Sequence, residues 1–268
     1  MITDITLGQY FPIESVIHKI DPRTKILFTM VYIVLVFLAD SPITYGLIAF
    51  FCISVILLSK ISFSVVIKSV KPMFFVILIT AIINVFFTGG TEILWSYKFI
   101  KITKLGLTNA INMALRLIFL VVGSSLLTYT TSPIMLTDGI ERLLKPFSKI
   151  GIPAHEIAMM MTIALRFIPT LLEETHKIMT AQKARGADFE SGNLLERVKA
   201  MVPILVPLFI SAFRRADELA TAMECRCYRG GEGRTRLRVL KYGKIDLFAL
   251  IIMLIFSVLL ITFGIFNI

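Results

Sequence analysis

The stretch LFALIIMLIFSVLLITFGIF, residues 247–266, decides the class of protein to which the chain belongs. It contains no charged residue and has about the 20 residues that an α-helix needs to cross the hydrocarbon core of a bilayer. Four more apolar segments, bounded by charges or by proline and glycine, lie at residues 26–38, 43–58, 73–87 and 105–129. Hydrophobic residues make up 56% of the 268, and the mean hydropathy of +0.83 is too high for a soluble domain of this length. The sequence therefore predicts an all-α integral membrane protein with about five transmembrane helices in a lipid bilayer.

A second region, rich in charged residues, separates the fourth and fifth apolar segments. Most of the 28 lysines and arginines lie between residues 132 and 246, together with most of the 18 acidic residues. Mixed charge at this density is typical of solvated helices, so we expect no nucleic-acid partner. We predict a membrane domain at residues 1–131, a cytoplasmic domain of three long helices at 132–244, and a C-terminal transmembrane helix at 245–268.

The first two helices of the cytoplasmic region are placed by turn residues and apolar spacing. The first is expected from residue 133 or 136 to residue 149, with Thr137 and Asp138 as its cap. The second, at 154–183, carries a nearly continuous apolar stripe, and Pro169 is expected to bend it.

The third cytoplasmic helix is predicted at residues 193–226. Asn193 is followed three residues later by Glu196, as in a capping box. Its middle, 201–213, is apolar enough to enter the membrane. Because basic residues flank both ends of that segment, we predict that it does not span.

The distribution of positive charge predicts the orientation in the membrane. A basic cluster at residues 18–25 precedes the first span, which places the N-terminus and the 132–244 region in the cytoplasm. The loop at 88–104 and the C-terminus are then outside. Three lysines of that loop, Lys98, Lys101 and Lys104, oppose this orientation, which the other loops support.

Two further elements are expected at the membrane surface. Residues 61–70 have apolar positions at a helical period with serines and lysines between them, which favours an interfacial helix. Residues 92–103 alternate apolar and polar side chains, which predicts a hairpin outside the membrane.

One arginine, Arg116, lies deep in the fourth apolar segment, near Asn109 and Asn112. An ionisable group at such a position normally faces the interior of a helix bundle or a cavity. It could contact a partner or a substrate path, or it could make a structural hydrogen bond between helices or reach toward an interface. We favour the structural alternative, because no acidic residue lies in any predicted span to complete a charge relay.

Two arginines in similar sequence contexts close the second and third cytoplasmic helices. The first context is AQKARGA, residues 181–187, and the second is AMECRCY, residues 222–228, so that Arg226 follows Arg185 by 41 residues. A guanidinium near a helix C-terminus suits the helix dipole, and small flanking residues let the backbone of another protein approach. Because the pattern occurs twice, we favour docking into a partner's groove over a dipole role alone.

The cysteines and histidines give no sign of a disulfide or a metal site. Cys52 lies in an apolar span, while Cys225 and Cys227 lie in the region assigned to the cytoplasm. Residues two apart do not share a helix face, and the three histidines are not clustered.

Several short blocks, taken in order, carry a resemblance that covers nearly the whole chain. They lie at residues 7–10, 18–25, 131–133, 137–139, 164–169, 181–188, 214–216, 222–224 and 228–235. In sequence and spacing they resemble the family of transmembrane coupling subunits (EcfT) of energy-coupling factor (ECF) transporters, which are ABC-type importers of vitamins and other micronutrients in bacterial cell membranes.

The resemblance implies a non-catalytic coupling subunit whose cytoplasmic helices form a coupling domain. Two X-Arg-X motifs are expected to dock on two ATP-binding cassette ATPase subunits, which bind the ATP, so that no cofactor is expected in this chain. The motifs here are Ala184-Arg185-Gly186 and Cys225-Arg226-Cys227. The second departs from the usual Ala-Arg-Gly of the family, which puts the fine packing at one ATPase in doubt.

The resemblance also implies an exchangeable substrate-binding membrane subunit, held by an apolar face of the coupling domain. On the second cytoplasmic helix, that face is expected to include Met161, Leu165, Ile168 and Leu172. Movement of the ATPases would then be transmitted to the substrate-binding subunit.

Two other functions are alternatives to this one. A self-contained secondary transporter would predict paired broken spans and intramembrane acids, and neither is seen. A membrane enzyme acting on anionic lipid could use the basic run at 229–244, but that run has no paired carboxylates and no nucleophile with a base. No phosphate-binding loop of the Walker type occurs, so ATP is expected to bind elsewhere.

Overall fold

A computed structural model of the chain describes residues 10–89, 92–97, 100–151, 153–189, 193–231 and 240–265. Some predictions concern residues outside these ranges: the first residues of the 7–10 block, Lys98 of the basic loop, residues 232–239 of the basic run, and the C-terminus. The chain divides into two compact units. One comprises Met1–Ile140 with Val239–Ile268, and the other comprises Glu141–Arg238. The predicted cytoplasmic region contains the whole of the second unit.

Helices dominate the described residues, and the predicted all-α class is confirmed. The helices are α1 (Pro22–Leu38), α2 (Pro42–Ser59), α3 (Phe63–Val70), α4 (Phe74–Phe87), α5 (Lys104–Thr130), α6 (Pro133–Leu144), α7 (Ala154–Ala184), α8 (Leu194–Cys225) and α9 (Lys244–Ile265). Short 3-10 turns at Lys71–Met73 and Lys145–Ile150 follow α3 and α6. The strands β1 (Ile93–Tyr97) and β2 (Ile100–Thr103) pair antiparallel in the loop where the sequence predicts a hairpin.

Among the described residues, five helical segments are long and apolar enough to cross a membrane, so the chain is a multi-pass membrane protein. They are Pro42–Ser59, Phe63–Phe87, Lys104–Thr130, Ala154–Ala184 and Lys244–Gly264. The number of these segments agrees with the predicted number of spans, but they are not the same five segments. The first predicted span, 26–38, lies in α1, which has 17 residues and is shorter than these five. Helix α7, predicted to be cytoplasmic, has the length and composition of a span.

The predicted interfacial helix and third span form one continuous helical segment. Helix α3 runs into α4 through the 3-10 turn that contains Pro72, and both helices pack against α5. The missing N–H of a proline is tolerated at the start of such a turn. The boundary predicted near residue 70 thus lies at this turn, and the interfacial position of α3 stays a prediction.

The first unit is organised around α5, which contacts α1, α2, α3 and α4. Gly123 on α5 permits the closest approach, since a Cβ there would lie 2.1 Å from the Tyr32 ring. The Tyr32 hydroxyl donates to the Phe119 carbonyl oxygen at 2.9 Å, and the ring stacks on Phe51 of α2. Glycine at 123 is thus required by packing in the buried core.

A buried polar cluster joins the residues before α1 to the end of α5 and the start of α9. The Lys25 amine donates to the Thr130 carbonyl oxygen at 2.8 Å and to the Thr131 hydroxyl at 3.2 Å. The Asp21 backbone N–H donates to Asp246 Oδ1 at 2.7 Å. Because buried charges are stable only when they are paired and hydrogen-bonded, the 18–25 block has a structural role here.

His18 belongs to the same block, and its surroundings favour the neutral imidazole. Its Nε2 lies 3.0 Å from the Phe11 carbonyl oxygen, and its Nδ1 lies 2.7 Å from the Ser15 hydroxyl. A carbonyl only accepts, so Nε2 carries the proton and Nδ1 accepts from Ser15. Burial, with the nearby Lys25 charge, lowers the pKa of His18.

The predicted cap of α6 is wrong. The helix begins at Pro133, and the Met135 backbone N–H donates to the Ser132 hydroxyl at 3.4 Å. Thr137 lies one turn inside, where its hydroxyl donates back to the Pro133 carbonyl oxygen at 3.0 Å. Proline suits the first turn of a helix because its missing N–H would have no intrahelical partner there, so Ser132-Pro133 is the stronger start signal.

Candidate docking sites

Helices α7 and α8 of the second unit pack against each other through apolar side chains. The two helices contact each other, and between them Ile163, Phe167 and Leu171 of α7 line a cavity of about 330 Å³ together with Ala212, Leu219 and Met223 of α8. Arg215 of α8 also donates to Glu174 of α7 at 2.6 Å. The two helices are thus joined by an apolar interface and a half-buried ion pair.

The predicted start of α8 is confirmed by one hydrogen bond of the capping box, from the backbone of Asn193 to the side chain of Glu196. The Asn193 backbone N–H donates to Glu196 Oε2 at 3.1 Å, as in a capping box. The carboxylate also lies in the first turn, where it is favoured by the helix dipole.

Helix α7 ends in a Schellman motif that fixes the position of Arg185. The Ala187 N–H donates to the Gln182 carbonyl oxygen at 3.0 Å, and the Gly186 N–H donates to that of Lys183 at 3.0 Å. Gly186 has φ +87°, the left-handed conformation that closes such a motif. Arg185, the residue before it, is exposed.

Helix α8 ends in the same way, in register with α7. The Tyr228 N–H donates to the Met223 carbonyl oxygen at 3.0 Å, and the Cys227 N–H donates to that of Glu224 at 2.8 Å. Cys227 has φ +58°, so it takes the place of Gly186. Arg226 is exposed immediately before the left-handed residue, as Arg185 is.

The two helix ends give a second reason for the small residues of the motifs. The sequence suggested that small flanking residues allow a partner's backbone to approach. The structure adds that the residue after each arginine must adopt positive φ, which glycine does without steric cost. The signal at Gly186 was a glycine just past a periodic helix. Cys227 gave no such signal, since cysteine does not favour this conformation.

We predict that Cys227→Gly stabilises the protein. The left-handed conformation costs a non-glycine residue about 1–2 kcal/mol, and the greater backbone entropy of glycine offsets roughly 0.5–1 kcal/mol of this. The expected gain in the free energy of unfolding is therefore about 0–1.5 kcal/mol. The measurement is denaturant unfolding at fixed detergent and lipid content.

Gly186→Ala is the converse control, and it is expected to destabilise by about 1 kcal/mol because it puts a Cβ at positive φ. A loss of stability in Cys227→Gly would contradict the motif described for the end of α8.

The four residues predicted to contact a substrate-binding subunit lie on a different face of α7 from the residues that meet α8. Met161 is 37% exposed, while Leu165, Ile168 and Leu172 are half-buried. Their spacing places them on one face, about half a turn from Ile163. The structure thus leaves Met161 accessible and the other three partly covered.

A larger apolar surface lies on α8, and the sequence prediction did not assign it. Its exposed side chains are Val198, Met201, Val202, Leu205, Val206, Phe209, Ile210 and Phe213. An exposed apolar surface of this extent marks contact with lipid or with another protein. The signal for this surface in the sequence is the apolar segment at 201–213.

Arg116 makes structural contacts, in agreement with the favoured reading. Its Nη2 donates at 3.0 Å to both the Ala39 carbonyl oxygen and Asp40 Oδ1, in the turn between α1 and α2. The long side chain thus carries its charge from α5 to the turn, where the Asp40 carboxylate is largely exposed.

Comparison with known proteins gives a consistent result over nearly the whole chain. Residues 14–237 match the family CbiQ, described as "Cobalt transport protein". The chain is 59% identical over 260 residues to the "Energy-coupling factor transporter transmembrane protein EcfT" of Acidaminococcus fermentans, with 97% of each chain covered. It is 61% identical over 250 residues to the protein of the same name from Clostridium kluyveri, with 93% of each covered. To that of Bacillus subtilis it is 46% identical over 260 residues, covering 97% of this chain and 98% of the relative.

Proposed function

The chain belongs to the CbiQ family as a non-catalytic transmembrane component of an energy-coupling factor transporter, and on that premise we propose how it couples. Arg185 and Arg226 dock two ATPase subunits, and the chain transmits their ATP-driven movement to an exchangeable substrate-binding membrane subunit. The observation that carries the proposal is the pair of matching Schellman ends, each of which presents one exposed arginine.

Each helix end is suited to enter a groove on an ATPase. The last carbonyl groups of a helix carry partial negative charge, which favours a guanidinium beside them. The left-handed residue turns the chain away directly after the arginine, so the side chain projects past the end of the helix. Its planar fork of donors can pair bidentately with a carboxylate and also meet main-chain carbonyl oxygens.

The packing of α7 on α8 supports the transmission of movement. The contact between the two helices and the Glu174–Arg215 pair favour their motion as one body. A displacement imposed at Arg185 and Arg226 would then move the apolar surfaces of both helices. Those surfaces, including Met161 on α7 and residues 198–213 on α8, would hold the substrate-binding subunit by burial of apolar area.

We propose the predicted domain boundaries, 1–131, 132–244 and 245–268, with α7 and α8 on the cytoplasmic side of a bacterial cell membrane. Helix α7 has the length of a span, but it carries an exposed arginine, Arg166, near its middle. If α8 crossed the membrane, Arg185 and Arg226 would face opposite compartments, because Arg185 lies before its first residue and Arg226 after its last. Two ATPases that use the same ATP pool need both arginines on the same side.

The topology can be tested by cysteine labelling. In a variant with Cys52, Cys225 and Cys227 replaced, single cysteines introduced at Gly89 and Ser191 should react with an impermeant thiol reagent from opposite sides of the membrane. As a control, the same vesicles are permeabilised, and both cysteine positions should then be labelled. Labelling of both positions from one side of sealed vesicles would contradict the orientation.

The function itself is tested by reconstitution with purified subunits. Vesicles that contain this chain, two ATPase subunits and a substrate-binding subunit should take up the substrate of that subunit only with ATP present. Vesicles without this chain should show no ATP-dependent uptake. Equal uptake in its absence would mean that the chain does not couple the use of ATP to the uptake of substrate.

A further inference from the structure

The last turns of α8 lie beside a cavity, not against a filled interface. The cavity of about 330 Å³ between α7 and α8 is lined on the α8 side from Ala212 to Met223. Arg226 follows Arg215, which pairs with α7, by 11 residues, or about 16 Å along a helix. Atoms that line a void lose the contacts that hold packed side chains in place. The position of Arg226 therefore depends on what holds the chain beyond the end of α8.

The chain beyond Arg226 is held at Gly231. An added Cβ on Gly231 would lie 2.7 Å from Cδ2 of the His155 ring, 2.9 Å from its Cγ and 3.2 Å from its Cβ. Gly230 has φ +85°, but Gly231 does not have positive φ. The contact with the ring, and not the backbone conformation, is thus what requires glycine at 231. The backbone of Gly231 lies directly against the imidazole of His155.

The imidazole is itself oriented by a second residue. Nδ1 of His155 donates to Glu141 Oε1 at 3.1 Å, since a carboxylate only accepts. Glu141 lies in the last turn of α6 and His155 in the first turn of α7, so the bond also joins these two helices. The side chains are 29% exposed at His155 and 14% at Glu141, so water competes with the bond less than at a fully exposed pair.

We propose that His155, oriented by Glu141, is a positioning residue for the docking of Arg226 on an ATPase subunit. The inference rests on the proposed function, in which Arg226 docks. The five residues from Arg226 to Gly231 span at most about 18 Å, so the contact at Gly231 limits where the end of α8 can lie. It also gives a role to the block at 228–235, which lies outside both arginine motifs.

The other docking arginine is remote from this contact. Arg185 follows His155 by 30 residues, which is about 45 Å along α7. Changes at His155 and Gly231 should therefore affect docking at Arg226 and leave docking at Arg185 intact.

The test measures how tightly the purified ATPase pair binds the full-length chain in nanodiscs that also contain its substrate-binding subunit. In an Arg185→Ala background, binding depends on Arg226, and Gly231→Ala should weaken it about tenfold by displacing the hydrogen-bonded ring. In an Arg226→Ala background, binding depends on Arg185, and Gly231→Ala should change it by less than about twofold. Equal weakening in both backgrounds would overturn the proposal, and so would unchanged binding in the first.

An exchange of side-chain size tests the contact itself. In the Arg185→Ala background, His155→Ala should weaken binding as Gly231→Ala does. Adding Gly231→Ala to His155→Ala should cause no further loss, because the ring with which the new Cβ would collide is gone. Additive losses would mean that the two residues act separately, and they would contradict the proposal.

The role of Glu141 is tested with a conservative variant and a matched control. Glu141→Gln keeps an oxygen that can accept from Nδ1 of His155 and should keep most of the affinity, whereas Glu141→Ala should weaken binding as His155→Ala does. Glu156→Ala removes the same charge from an exposed position beside His155 and should have no effect. Equal losses in Glu141→Ala and Glu156→Ala would mean that net charge, and not the hydrogen bond, is responsible.

A distance measurement shows the position of the helix end without any ATPase. Spin labels are placed at Thr180 and Glu224, both exposed, in a variant whose native cysteines are replaced. Gly231→Ala should broaden the distribution of distances between the labels, and an unchanged distribution would overturn the positioning role. If the distribution broadens but Arg226→Ala alone leaves ATPase binding unchanged, the docking proposal has failed, and the inference falls with it although the contact is present.

Discussion

Loss of both ATPase subunits is the expected result of the Arg185→Ala, Arg226→Ala double substitution. Removing one member of a desolvated charged pair typically costs about 2–5 kcal/mol. A single substitution should therefore weaken the complex while the other arginine retains it. Both exposed arginines end their helices in the same way, so the two single variants should have similar effects. The measurement is the amount of each ATPase that co-purifies with the membrane subunit.

Two sets of controls make this result specific. Lysine at 185 and 226 keeps the charge but loses the planar fork, so these variants should fall between wild type and alanine. Arg197→Ala removes the same charge from an exposed position in the first turn of α8 and should leave both ATPases bound. An equal loss in Arg197→Ala would mean that net charge, and not the two helix ends, holds the ATPases.

Release of the substrate-binding subunit is the expected result of the Met161→Asp, Leu165→Asp double substitution. Burying apolar area contributes roughly 25 cal/mol per Å² before the costs of association, and two carboxylates in that contact would oppose it. The ATPases should stay bound, because these residues lie about five turns or more before Arg185 on α7. The measurement is the co-purification of each subunit, which distinguishes loss of the substrate-binding subunit from loss of the ATPases.

The matched control for this prediction is Thr162→Asp. It adds the same charge to an exposed position on α7, about a quarter-turn from Met161. It should retain the substrate-binding subunit. If the double substitution releases the ATPases instead, the apolar face of α7 serves a different partner from the one proposed.

The long helices could be predicted closely from the sequence because their signals are local. Helix α7 was expected at 154–183 and is found at Ala154–Ala184, and α5 was expected at 105–129 and is found at Lys104–Thr130. The start of α8 was also predicted, from Asn193 and Glu196. Length and composition did not, however, tell a span from a helix proposed to lie outside the bilayer, since the apolar stripe of α7 serves either purpose.

Features that depend on distant residues could not be predicted. Lys25 and Asp246 stand at opposite ends of the chain, and nothing local indicates that they belong to one buried cluster. The left-handed conformation of Cys227 became evident only from the hydrogen bonds that close α8. The two arginine motifs could be predicted from their repeated sequence context. The structure adds that both helices end in a Schellman motif.

The most direct measurement is ATP-dependent substrate uptake by vesicles that contain the complete complex with Arg185→Ala and Arg226→Ala together. The proposed function predicts uptake no higher than without ATP. It also predicts full uptake by the Cys225→Ala, Cys227→Gly variant, in which the flanks are small and the backbone conformation is kept. Lost uptake in that cysteine variant would indicate a chemical role for the thiols. Full uptake by the double arginine variant would contradict the claim that these two helix ends couple the chain to its ATPases.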